Sequence, residues 1–430
     1  MVFNHLLTFA ELFGLTEGRL TEGRLTEGLS PCEVSLFMCM GKDIESLSFV
    51  GQRDQRLLTM LSYSLGQDAV AHRLTVEQWQ QLFEDASRHT LVGVLFEGIK
   101  LLEKEGRALC PPLPLLLHWA GDADNIGQLN GVFDAEAARL TRLFEAEGHD
   151  TVILKGQANA RLYPNPRSRQ SGDIDIWVYG GKERVMTMLR RLGLMDDTTD
   201  VCYHHVSLER NSQGIEVEVH FLPSSGHNHA ACNEHIQQFL DEELAKGCQM
   251  VSEGFRVPSL RFALVMQLAH IRHHLIKEGV ALRQLTDYWL LLRHSSKDDR
   301  EVIASRLKDF GLTTIARALM WVIGSVFGER ECLLPVKPSE RKGRWLLKKI
   351  LQTGNFGKQD RKKQQVLWRE VLRQKKELLP LLWFEPEFAT TLAAEECRYW
   401  WCIVRTLPER IRYRSLSLRD HRGDKVNSYS

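Results

Sequence analysis

The chain has 430 residues, of which 43% are hydrophobic and 26% charged, with a formal net charge of +1. That length exceeds one ordinary core and implies two or three packed units, while the composition excludes global disorder and a fibrous repeat. The charge is uneven, because residues 341–430 hold 21 Lys/Arg against 10 Asp/Glu; this basic region either attracts an anionic partner or forms the solvated faces of helices.

The chain opens on a pentapeptide repeat, LTEGRLTEGRLTEGL, from Leu15 to Leu29. Its period matches neither helix nor strand and buries no continuous face. Residues 1–39 are therefore expected to be a disordered leader, with the functional chain beginning near Met40. Residues 40–148 read as a helical N-terminal region, as in LTVEQWQQLFEDASRH and GVFDAEAARLTRLFEAEG, with apolar positions three and four apart. Thr75 and Gln78 form a capping box ahead of the first of these helices, and Gly148 is the stop of the second.

The texture changes at Thr151. TVILK is a short β-rich run, GQANARLY a short helix, DIDIWV a second strand and KERVMTMLRRLG a helix. YHHVSLER and IEVEVHF then alternate with period two around Asn211-Ser212-Gln213-Gly214, the pattern of a β-hairpin. Residues 149–225 are thus expected to be an α/β core with a small mixed sheet, which makes the fold class α+β. Residues 226–300 return to helix and are expected to pack on that core; residues 301–430 form a helical, basic C-terminal region, with TGNFGKQD at 353–360 as its clearest loop.

Nine cysteines from Cys32 to Cys402 show no C-x-x-C pair or regular spacing, which points to reduced thiols and a cytoplasmic location. No apolar run reaches the length of a membrane span, so membrane insertion is not expected.

Asp173 and Asp175 lie two apart on the second strand, so their side chains share a face while Ile174 and Ile176 point to the core. Two carboxylates on one face repel unless a cation lies between them, and oxygen ligands suit Mg²⁺ or Mn²⁺. Alone, a D-x-D pair is also a common feature of wet surface strands. The hairpin strengthens the chemical reading, because Glu216, Glu218 and His220 share one face and Ile215, Val217, Val219 and Phe221 the other. A third acid can then join the pair, as two-ion phosphoryl chemistry requires. Lys155-Gly156-Gln157 stands at a strand end before a helix, where backbone N–H groups and an ammonium meet phosphate oxygens. Arg167 and Arg169, in the Pro-containing loop, are either phosphate contacts or solvated loop arginines. His270, His273 and His274 share a helix, where i and i+4 histidines bind metal or simply pack; Arg283 and Asp287 form an ordinary ion pair or line the cleft.

The stretch LKGQANARLYPNPRSRQSGDIDIWV resembles the signature of the bacterial uncharacterised nucleotidyltransferase family, a branch of the DNA polymerase β superfamily. IEVEVHF resembles the segment that carries the third acid, which favours Glu218, and the likeness runs over roughly residues 145–360. The resemblance implies transfer of a nucleoside monophosphate from an NTP to an unidentified small molecule, protein or RNA. It implies Asp173, Asp175 and Glu218 as metal-holding catalytic residues, with Lys155, Gly156, Gln157 and Arg169 at the nucleotide. One departure is the turn: the usual glycine-serine is Gly156-Gln157 here, and Tyr163-Pro164-Asn165-Pro166 lengthens the path to the aspartates. Two other function classes stay open, a nucleotide-binding regulatory module without turnover and a D-x-D metal-dependent glycosyltransferase.

Overall fold

The computed structural model describes residues 47–67, 73–104, 110–277, 279–328, 330–354 and 380–391, together with 393, 394 and 397. The expected leader at 1–39, most of the loop at 353–360 and, in the basic C-terminal region, residues 355–379 and 398–430 lie outside the described residues.

Helices α1 (Gln52–Ser64), α2 (Val76–Arg88), α3 (Val92–Lys104) and α4 (Leu113–Ala146) come first. The capping box forms as the sequence predicts: Gln78 N donates to Thr75 Oγ1 and Thr75 N donates to Gln78 Oε1. After Glu147, Gly148 takes φ 84° and its N–H closes on Glu145 O, which ends α4 just before the sheet.

The sheet is built from β1 (Thr151–Ile153), β2 (Ile174–Val178), β3 (His205–Leu208) and β4 (Val217–His220) in the order β1-β2-β4-β3. β2 and β4 are parallel; the outer pairs β1/β2 and β3/β4 are antiparallel. α5 (Gln157–Ala160) lies between β1 and β2, and α6 (Gly181–Arg191) between β2 and β3. The fold is α+β: a small mixed sheet set among helices.

Alternation splits the sheet residues between two cores. Ile153, Ile174, Ile176, Val178, Val206, Val217 and Val219 join Phe133, Leu140 and Phe144 of α4 and Val185, Met188 and Leu189 of α6 in one cluster. Val152, Leu154 and Trp177 turn the other way and join the larger helical core. The middle of that second face is polar, and it carries Asp175, Glu218 and His220.

Beyond the sheet come α7 (Ala230–Ala245), a two-stranded ribbon of β5 (Gln249–Met250) and β6 (Arg256–Val257), and helices α8 (Leu260–Lys277) and α9 (Leu282–His294). α10 (Lys297–Arg306), α11 (Thr313–Phe327) and α12 (Glu340–Thr353) follow. Every apolar residue of α9 from Leu282 to Leu292 is buried, so this helix runs through the body rather than over it. A buried pair, Arg272 to Glu385 at 2.7 Å, ties the segment at 380–391 to α8. Among the described residues no helix is long and apolar enough to cross a membrane, and Cys110, Cys202, Cys232, Cys248, Cys332 and Cys397 are free thiols.

His89, at the end of α2, is fully buried and its Nδ1 accepts from Leu282 N at 3.4 Å. Burial, aided by Arg88, holds its pKa down at about 3 against 6.5 in an unfolded chain. Below pH 6.5 the unfolded state therefore takes up a proton that the folded state refuses until about pH 3. This contribution to stability is complete above pH 6.5 and is lost as pH falls toward 3. His89→Gln should flatten the acid limb of urea-derived stability in that window, by up to about 1.36 kcal/mol per pH unit. An unchanged limb would exclude His89 as the titrating group.

Candidate active site

The carboxylates meet because β2 and β4 run side by side. Parallel register sets Asp175 opposite Glu218 and Trp177 opposite His220. β3 adds the next column, with Ser207 opposite Glu218 and His205 opposite His220. Asp173 stands just ahead of β2, where its carboxylate keeps a third of its surface open, while that of Asp175 is fully buried.

Lys155 closes the group. Gly156 takes φ 63° and ψ −105°, a conformation that suits glycine, and this turn folds α5 back against the start of β2. Lys155 Nζ lies 2.9 Å from Asp175 Oδ2 and 3.4 Å from Asp173 Oδ2. Burial alone would lower the pKa of this ammonium, but Asp173, Asp175 and Glu218 together raise it. His220 Nε2 donates to Asp175 Oδ1 at 3.2 Å and lies 3.5 Å from Glu218 Oε2. Burial opposes the charged imidazole, yet hydrogen bonds to Asp175 and Glu218 raise its pKa to about 9. For Glu218, burial is outweighed by His220 and Lys155, and the pKa falls to about 2.

Lys155, Gly156, Gly172 and Asp173 form one wall of a cleft, and Gln267 and His270 of α8 with Arg283, Gln284 and Asp287 of α9 form the other. Arg169 also lines it. Asp287 accepts from Arg169 Nε and Nη2 and from Tyr163 Oη, each at 2.8 Å. Arg283 Nη1 donates to Gln170 O, while its Nε is buried without a protein partner. Burial and the neighbouring Arg169 lower the pKa of Arg283. Two guanidinium groups thus face one carboxylate, so this wall carries surplus positive charge at low dielectric.

The sequence-predicted residues divide accordingly. Asp173, Asp175, Glu218, Lys155 and Gly156 come together. Arg169 reaches the cleft, but as a guanidinium already held bidentate by Asp287. The side chain of Gln157 turns away: its Nε2 donates to Asp134 Oδ1 at 2.6 Å and to Asn130 O, and its Oε1 accepts from Ser171 Oγ. Arg167 is exposed and outside the cleft lining. Asp287 pairs with Arg169 rather than with Arg283 one turn away, because the Tyr163–Ser171 segment packs Arg169 against α9. The lengthened segment is firmly held: Asn130 Nδ2 donates to Arg167 O and Arg169 O, both at 2.8 Å, and Asn165 Nδ2 donates to Glu97 Oε1. Of the three α8 histidines, His270 lines the cleft, and burial pushes its pKa well below the usual range, so it stands there neutral.

His205 joins His220 on the carboxylate face, a position that period-two alternation across the hairpin carries, whereas no local signal carries Gly172, Gln267 and Gln284 of the cleft lining.

Comparison with known proteins gives the same direction. The profile of the family described as uncharacterised nucleotidyltransferase matches residues 75–328, more than half of the chain. It takes in the N-terminal helices from α2 onward, well upstream of the residues that carry the motif resemblance, and ends with α11. No curated protein matches the chain. A solved structure, an antigenic nucleotidyltransferase-like protein from Paracoccidioides brasiliensis, is similar at 13% identity and a TM-score of 0.30, over 45% of this chain and 91% of its own. On the extent of the profile match, the chain belongs to the uncharacterised nucleotidyltransferase family.

Proposed function

We propose that this chain is a metal-dependent nucleotidyltransferase of the DNA polymerase β type, moving a nucleoside monophosphate from an NTP to an acceptor hydroxyl, with pyrophosphate as the leaving group. The observation that carries the reading is the pairing of Asp175 with Glu218 across parallel strands, with Asp173 joined to them through Lys155. Asp175, Glu218 and His220 bring ligand atoms within 4.8 Å of one another. The carboxylates of Asp173, Asp175 and Glu218, which draw in the Lys155 ammonium and the His220 imidazolium, fit a hard divalent cation. Asp173, Asp175 and Glu218 would hold Mg²⁺ or Mn²⁺, which supplies Lewis-acid activation of the attacking hydroxyl and neutralises phosphate charge.

The chain's own residues do the rest. Gly156 keeps the backbone turn open beside Asp173, and Lys155 offers its charge at the mouth of the cleft. The Arg169 and Arg283 guanidiniums face the same space, and Asp287 fixes the first of them. Surplus positive charge beside an acidic cluster suits a triphosphate, whose oxygens the arginine wall receives.

The test is incubation of the full chain with each labelled NTP and Mg²⁺ or Mn²⁺, with cell extract as acceptor source, followed by mass spectrometry. The expected product carries one added nucleoside monophosphate and forms only with metal. Labelling from sugar nucleotides alone would make the chain a glycosyltransferase. Metal-dependent NTP binding without any product would make it a regulatory module.

A further inference from the structure

We propose that His204, His205 and His220 form a second cation site, for a transition metal of the zinc class, beside the carboxylate group and chemically distinct from it. One ligand atom from each of the three lies within 4.8 Å of the other two. The arrangement follows from the hairpin: register places His205 against His220, and the bend before β3 swings the His204 ring to the same side, 5.3 Å from His220 and 4.4 Å from His205 between ring centroids.

Two of the three rings, His220 and His205, are held on the side away from the cluster. His220 Nε2 donates to Asp175 Oδ1 at 3.2 Å, so Nδ1 is the nitrogen left for a metal, which on binding would displace the Nδ1 proton. That Nδ1 is buried and has no hydrogen-bond partner. His205 Nε2 sits 3.1 Å from Ser207 Oγ, while its Nδ1 meets His204 Nε2 at 3.0 Å. Two imidazole nitrogens at that separation need a proton or a cation between them. Tetrahedral zinc, with bonds of 2.0–2.1 Å, holds neighbouring nitrogens roughly 3.3 Å apart, close to the 3.0 Å between His205 Nδ1 and His204 Nε2.

The Asp175–His220 contact then has a specific meaning. A metal-bound histidine characteristically donates its other N–H to a carboxylate, which fixes the tautomer and strengthens the ligand. Asp175 would serve the carboxylate group with one oxygen and orient a zinc ligand with the other. Three imidazoles favour Zn²⁺ over Mg²⁺, which prefers oxygen ligands and keeps its waters. His204 is only half-buried, so an ion enters from solvent, and three protein ligands leave one position open.

The probe is Zn²⁺ itself, measured by equilibrium dialysis of the full chain with Mg²⁺ in large excess. Wild type should retain one zinc per chain. The double variant His204→Ala, His205→Ala should bind at least about 100-fold more weakly, the upper end of what loss of one supporting carboxylate costs. Asp173→Ala should bind Zn²⁺ as wild type does, even if it transfers no nucleotide, so failure of the nucleotidyl reading and failure of this one are distinguishable. If the double variant does not fold, as judged by circular dichroism, His204→Ala alone should still lower the affinity, since that ring is partly exposed. The inference is overturned if wild type binds no stoichiometric zinc, if the histidine variants bind it unchanged, or if Asp173→Ala removes it.

Discussion

Asp173→Ala and Asp175→Ala should each reduce metal-dependent nucleotidyl transfer by at least about a thousandfold, since losing a metal ligand removes several kcal/mol of transition-state stabilisation. Their effects on stability should differ. Asp173 keeps about a third of its carboxylate surface open and makes a 3.4 Å contact with Lys155, so its loss should leave the urea midpoint nearly unchanged. Asp175 is fully buried between Lys155 and His220, and its removal strands two charges. Breaking such a pair costs roughly 3–5 kcal/mol. Transfer assays and urea titrations on the two proteins, with Asp175→Asn as a volume control, read both quantities. Wild-type transfer in either alanine variant would remove the carboxylate site from the mechanism.

The second large effect is expected at Asp287. Its carboxylate accepts both Arg169 nitrogens and the Tyr163 hydroxyl, and it also compensates Arg283, so three buried groups depend on it. Asp287→Ala should cost about 3–5 kcal/mol of unfolding free energy. Arg169→Met should cost less, because Arg283 remains to neutralise Asp287. The double variant Asp287→Leu, Arg169→Met should recover part of the loss, as apolar replacement of a buried pair often does. A loss under about 1 kcal/mol for Asp287→Ala would mean that water reaches these groups freely.

The acidic part of the site was legible because it is local. Alternation alone puts Asp173 with Asp175 and Glu218 with His220, and a hairpin signal plus a strand-helix-strand order brings the two strands into one sheet. What was not legible lies far away in the chain. Asn130, Asp134 and Asp287 decide what Gln157 and Arg169 do, and no spacing rule joins residues 23 to 118 positions apart. Gln157 has the amide that would replace a serine hydroxyl, but packing against α4 gives that amide to Asp134 and the backbone instead. Arg169 has the charge expected of a phosphate contact, and the fold adds the counter-charge that a sequence reading could not supply.

The polar face of the sheet also bears on how the protein can be divided. Val152 of β1, Leu154 just after it and Trp177 of β2 face the helical core on the same side as the clustered carboxylates. A fragment cut to the strands and their two helices would expose this apolar margin to water and leave Arg169 without Asp287. Domain swaps or minimal-enzyme designs therefore have to carry α4 at one end and α9 at the other, so the smallest transferable unit is set by the walls of the cleft, not by the sheet that bears its acids.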